Sequence, residues 1–202
     1  VCGADTQGAI GYELQQALQN ELYHRRIAKN VATLITQTLV DRADPAFASP
    51  TKPIGGFMDE TEARRRSLES GWTVREDAGR GWRRVVASPL PKEIVELDSI
   101  KALLATGVVV IAVGGGGIPV VDVGEGEYRG VAAVVDKDYA LSLLARSLGA
   151  DLFLITTSVE HVWLDYGTPR ERRRDRMTLG EARQALAEGI HVPGSSQGAV
   201  AL

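Results

Sequence analysis

The stretch Val108-Val109-Val110-Ile111-Ala112-Val113-Gly114-Gly115-Gly116-Gly117-Ile118-Pro119-Val120 joins an unbroken apolar run to four consecutive glycines. The run predicts a fully buried strand, and the glycines predict a loop where the backbone comes very close to something, a small anion being the natural guest. A P-loop would require a Gly-Lys-Ser/Thr ending, but Gly117 is followed by Ile118-Pro119. A dinucleotide fingerprint would require a further spaced glycine and an immediate helix, but Pro119 stands there and Val120-Val121-Asp122-Val123 reads as more strand. A tight turn without a ligand would need only one or two glycines, since each extra one costs about 0.5–1 kcal/mol. Four therefore favour a ligand-bearing loop.

Working outward, 202 residues with 44% hydrophobic and 24% charged side chains describe an ordinary globular chain able to bury one good core. A formal charge of −3 gives no basic field, which argues against a nucleic-acid partner. Cys2 is the only cysteine and there are three histidines, so neither a disulfide framework nor a zinc pattern is expected. No apolar stretch approaches the ~20 residues that span a bilayer, and no signal peptide opens the chain, so a cytoplasmic protein without a membrane partner is expected. The start at Val1, without an initiator methionine, suggests a fragment or a processed product.

Ile10, Leu14, Ala17, Leu18 and Leu22 recur at helical spacing, with Thr6 as a candidate cap, and predict an amphipathic helix to about Tyr23. Residues 31–40 form a β-branched run suited to one buried strand. From residue 44 to about 91 the composition changes, with Pro45, Pro50, Pro53, dense charge, Trp72 and Trp82, and this predicts an inserted, protruding subdomain. Within it Asp59 with Glu62 predicts a helix start, and Trp72 to Glu76 with Trp82 to Val86 predicts a hairpin around Gly79-Arg80-Gly81. Arg64-Arg65-Arg66 reads as a solvated face. Asp98 is the expected cap of a short helix ended by Gly107, and Ala140, Leu141, Leu144, Ala145 and Leu148 predict another that stops at Gly149. Leu152-Phe153-Leu154-Ile155-Thr156 predicts a further buried strand, and Thr178 with Glu181 a last helix to Gly189. The arginines at 170, 172, 173, 174 and 176 are diluted by Glu171 and Asp175 and read as a solvated loop. This alternation predicts a three-layer α/β/α sandwich with a mainly parallel open sheet, residues 108–113 central and residues 44–91 projecting.

Asp136-Lys137-Asp138 stands at a predicted helix start, where the macrodipole disfavours a cation. Lys137 is therefore oddly placed for stability alone. Beside oriented N–H groups it supplies the mobile positive charge that a transferring phosphoryl group requires, with Asp138 holding the cationic groups in place. An ordinary surface Asp-Lys pair is the plainer alternative.

Several separate stretches, in order, resemble carbamate kinase within the amino acid kinase superfamily. They are residues 1–12, Thr51-Lys52-Pro53-Ile54-Gly55, Gly81-Trp82-Arg83-Arg84-Val85-Val86, residues 114–120 and Val135-Asp136-Lys137-Asp138. The resemblance spans nearly the whole chain. It implies phosphate transfer between ATP and carbamate, giving ADP and carbamoyl phosphate with magnesium, a reaction run toward ATP in arginine catabolism. It also implies a cytoplasmic homodimer. By position, Lys137 would stabilise the phosphoryl group, Asp138 would organise the cations, and Lys52 would reach in from the subdomain. Gly114, Gly115, Gly116 and Gly117 would meet carbamate or its phosphate, and Thr156, Tyr166, Gly194 and Ser195 would meet the nucleotide. Tyr166 is equally well read as a core tyrosine.

The sequence departs from the family pattern in several places. The family's first strand and second glycine-rich loop precede the point where this sequence begins, and its last helix is not present. Ala199 occupies the place of a lysine that touches the transferring phosphate, Met58 that of an aromatic and Thr168 that of a lysine. Loss of one donor of this kind raises a barrier by roughly 3–4 kcal/mol. A non-catalytic nucleotide-binding protein or dimer partner is therefore the competing reading, and an amino acid kinase acting on another carboxylate is a third.

Overall fold

The computed structural model describes residues 2–77, 79–156, 161–165 and 168–188. Helix α1 (Cys2–His24) is followed by β1 (Val31–Thr33) and β2 (Gln37–Val40), then β3 (Lys52–Met58), α2 (Glu60–Ser70), β4 (Val74–Glu76) and β5 (Trp82–Val86). The chain continues through β6 (Pro91–Ile94), α3 (Leu97–Ala105), β7 (Val109–Ile111), β8 (Ile118–Asp122), β9 (Tyr128–Gly130) and α4 (Lys137–Leu148), and closes with β10 (Val162–Leu164), β11 (Arg172–Arg174) and α5 (Leu179–Ala187).

The expected single strand over residues 31–40 is two strands in two sheets. β1 pairs with β7 in parallel, and β2 pairs with β8 in parallel, flanked by antiparallel β6 and β9 in the order β6-β2-β8-β9. Both runs therefore break at the same level, one at residues 34–36 and the other at the glycine loop. Thr36 makes the break. Its hydroxyl donates to the Leu34 carbonyl and accepts the Val113 N–H, so its side chain takes over contacts that a continuous ladder would make. Residues 108–113 are accordingly not the centre of the larger sheet: among the described residues β7 has β1 as its only neighbour.

Helix α1 begins earlier than expected. Thr6 lies inside it, its hydroxyl donating to the Cys2 carbonyl. Its inward face differs too: Ile10 and Leu14 are exposed, while Gln7 and Gly11 are buried. Gln7, Gln15 and Gln19 lie along this face, and their side-chain oxygens accept the N–H groups of Thr36, Thr33 and Val31 at 2.8, 2.8 and 3.1 Å. Gln15 and Gln19 thus satisfy outward N–H groups of β1 that would otherwise be unpaired, and Gln7 does the same for Thr36 just beyond it. Gly11 permits the close approach, since a Cβ there would lie 2.3 Å from Thr33 Cγ2.

The apolar core gathers Val40, Ile94, Ile100, Val113, Val121, Val135 and Ala140. Helix α3 packs on β7 and α4 on β6, and the two helices touch. Asp98 sits in the first turn of α3 rather than capping it. The cap position is Glu96, whose carboxylate instead accepts the backbone and side-chain N–H groups of Gln37. Residues 152–156 form no strand: no described strand pairs with them, and Leu152 and Leu154 are exposed.

β3, β5 and β4 form a sheet of their own in that order, with Glu76 opposite Trp82 across the tight turn. Asp59 caps α2 by accepting the Glu62 N–H, and Gly71 ends it in the left-handed region. Hydrogen bonds from Arg65 and Arg66 hold the Glu62 carboxyl at about 2, below its ordinary 4.5. A lowered folded-state value means that this contribution is full above pH 4.5 and disappears as pH falls toward 2. Glu62→Gln should therefore flatten the fall in melting temperature across that window, measured by circular dichroism. A steep unchanged profile would contradict it.

Candidate active site

The glycine loop is built by its neighbours. Val113 has φ +67, a left-handed conformation unusual for a β-branched residue, and its carbonyl accepts the N–H groups of Gly116 and Gly117 at 2.9 and 2.5 Å. The Thr38 hydroxyl, wholly buried, donates to the Gly116 carbonyl at 2.9 Å. Three of the four glycines are required by these contacts. An added Cβ would lie 2.8 Å from Gln7 Cγ at Gly114, 2.2 Å from the Val135 carbonyl oxygen at Gly116 and 2.0 Å from Thr38 Oγ1 at Gly117. The expectation that a turn alone needs only one or two glycines is therefore wrong here. Gly115 alone has no neighbour within 4 Å of that position, and it lines an open cavity of about 950 Å³ with Gly114, Gly117, Gln7 and Ala133.

Gly116 also brings the loop against the start of α4, because its Cβ position is 3.4 Å from the Lys137 backbone nitrogen. There Asp136 is the N-cap, its Oδ1 accepting the Asp138 N–H at 2.9 Å. Lys137 Nζ donates to Asp138 Oδ1 at 2.5 Å, and Lys52 Nζ donates to Asp136 Oδ2 at 2.5 Å. Exposure differs sharply: the side chains of Asp136 and Asp138 are 7% and 8% exposed, against 25% for Lys52 and 56% for Lys137. Buried carboxylates thus hold two more exposed lysines at the start of α4, the element on which Gly116 packs. Such an arrangement fixes two ammonium groups in place, so that they can orient an oxyanion with little reorganisation.

Lys52, Lys137, Asp138 and the loop, all singled out in the sequence, share this region. Thr156 is exposed at the end of residues 150–156, with no contact to it among the described hydrogen bonds. Tyr166, Gly194, Ser195 and Ala199 lie outside the described residues. Sequence reasoning missed Gln7, Thr36 and Thr38, which position the loop, and the second oxygen of Asp136. The threonines carried one signal, alternate polar positions within a β-branched run; the partner of Lys52, 84 residues away, carried none.

Among the described residues no three His, Cys, Asp or Glu side chains gather as a metal cage, and the two acids beside the loop are already on lysines. No helix among the described residues is long and apolar enough to cross a membrane.

The amino acid kinase family model matches residues 4–198. The carbamate kinase of Pyrococcus furiosus is 52% identical over 195 residues, covering 96% of this chain and 62% of that protein. A carbamate kinase-like protein of Escherichia coli K12 is 51% identical with the same coverage of both chains. Among solved structures, carbamate kinase from Giardia lamblia bound to AMP-PNP superposes with a TM-score of 0.84 at 44% identity, over 98% of this chain and 63% of that one. The chain thus spans about 62% of the length of the curated relatives it matches.

Proposed function

The chain belongs to the amino acid kinase family, and from that premise we propose that it is a phosphotransferase of the carbamate kinase type, moving phosphate between ATP and carbamate to give ADP and carbamoyl phosphate. One observation carries the proposal: Lys52, the glycine loop and Asp136-Lys137-Asp138, far apart in sequence, come together at the start of α4 with both lysines backed by buried carboxylates. Phosphoryl transfer asks little covalent chemistry of a protein and much positioned positive charge, which this geometry provides. In this reading the Gly115 amide and the two ammonium groups orient the phosphoryl oxygens. Asp138 keeps Lys137 from swinging away between turnovers. Residues 44–91 act as a protruding subdomain that carries Lys52 to the site. Magnesium would come with the nucleotide, held by its phosphates.

Ala199, standing where the family pattern has a lysine, supports a second reading: a protein that binds nucleotide without turnover. Coupled ATP formation from ADP and carbamoyl phosphate, run beside nucleotide titration calorimetry, separates the two. Turnover supports the kinase, heat without turnover supports the binder, and neither defeats both. We further propose a cytoplasmic homodimer, supported by the resemblance and by the exposed Ile10 and Leu14 on α1. A monomer mass by light scattering would count against the dimer.

A further inference from the structure

A helix cap needs one acceptor oxygen and no net charge, and Asn, Ser or Thr serves as well as Asp. Asp136 nevertheless places a full carboxylate at a position only 6% exposed, where desolvation opposes the charge. Its two oxygens have separate partners: Oδ1 caps α4 on the Asp138 N–H, and Oδ2 accepts from Lys52 Nζ at 2.5 Å.

Lys52 is the first residue of β3, where the chain enters the separate sheet. The other leg of that sheet returns at Ala87, which bridges to Ala133 and whose carbonyl accepts the Val134 N–H at 3.0 Å. Both legs are therefore fastened to residues 133–136, the segment that leads directly into Lys137. One fastening is backbone, and the other is the ion pair.

We infer that Asp136 is a positioning residue that fixes the Lys52 ammonium beside Lys137 and the glycine loop. An arriving oxyanion then meets two cations already in place instead of one cation and a lysine on a free four-carbon arm. This rests on the phosphotransferase reading above. The carboxylate charge serves the lysine, and the cap is served by the remaining oxygen.

Asp136→Asn separates the two roles, because the amide oxygen still accepts the Asp138 N–H while the charge is lost. The expected result is a melting temperature within about 2 °C of the unmodified chain and a kcat at least ten-fold lower. KM for carbamoyl phosphate should change less than about three-fold. A second readout needs no turnover: brief acetic anhydride labelling followed by peptide mass spectrometry should show Lys52 reacting at least three-fold faster in Asp136→Asn, with Lys137 unchanged. Unaltered Lys52 labelling would overturn the inference. So would full kcat in the variant, or a kcat that falls only together with the melting temperature. Faster Lys52 labelling in a chain whose unmodified form shows no turnover would uphold the positioning role and count against the phosphotransferase reading alone.

Discussion

Lys137→Ala is expected to lower turnover by about 100- to 1,000-fold, the loss that follows removal of one well-placed charged donor from a developing oxyanion. The structure adds a cost in stability that helix polarity alone does not anticipate. A lysine in the first turn of α4 opposes the helix dipole, so its removal from an isolated helix would be neutral or slightly favourable. Here, however, its ammonium is bonded to Asp138, whose side chain is 8% exposed, and alanine leaves that buried carboxylate without its cation. A loss of about 1–3 kcal/mol follows. Lys137→Arg distinguishes the roles: arginine keeps a cation on Asp138 but delivers a planar, bulkier group to the phosphoryl position. Stability should return while the rate stays low. Full recovery of rate in Lys137→Arg would show that the lysine is structural. Calorimetry gives the same answer without turnover, since Lys137→Ala should weaken ATP more than ADP, and equal losses for the two nucleotides would defeat the assignment.

Gly116→Ala is expected to be among the most damaging single methyl groups in the described structure. Its Cβ would stand 2.2 Å from the Val135 main-chain oxygen, and its φ of +122 is one that side chains rarely adopt. Overpacking and backbone strain each cost about 1–3 kcal/mol. Together they take a large share of the 5–15 kcal/mol that holds an ordinary domain together. Mostly insoluble expression is expected, or a melting temperature lower by about 10 °C or more. Gly115→Ala, one residue away with open space around it, should melt as the unmodified chain does. Similar melting temperatures for both variants would refute this account of the loop.

Much of the local structure is legible in the sequence. Asp59, Thr178 and Gly149 cap their helices as their residue types predict, because capping depends on neighbours within four positions. Of the candidate site, the sequence singles out Lys137, Asp138 and the glycines, and the family resemblance adds Lys52; the structure brings these residues together at the start of α4. What escaped was decided at long range. Helical periodicity pointed to Ile10 and Leu14 as the inward face of α1, whereas glutamines bonding to a strand edge face inward, and no hydropathy pattern reports a hydrogen bond to a segment not yet placed. The interruption at residues 34–36 was hidden because Thr36 is β-branched like the residues around it, and only its partners in α1 and at Val113 turn the chain from one sheet to the next. The run at residues 152–156 has strand composition, but a strand exists only when another pairs with it.

Lys52 lies opposite Val86 in an antiparallel pair, so the chain leaves for β3 and comes back from β5 across a gap of about 5 Å. An unstructured loop as long as residues 52–86 would cost the remaining chain about 3 kcal/mol of closure entropy. A folded excursion whose ends already touch costs it about as much as a tight turn. Insertions or deletions beyond that doorway change the size of the excursion while leaving the folding of the rest nearly untouched, so its length is a quantity that descent can vary at little thermodynamic risk.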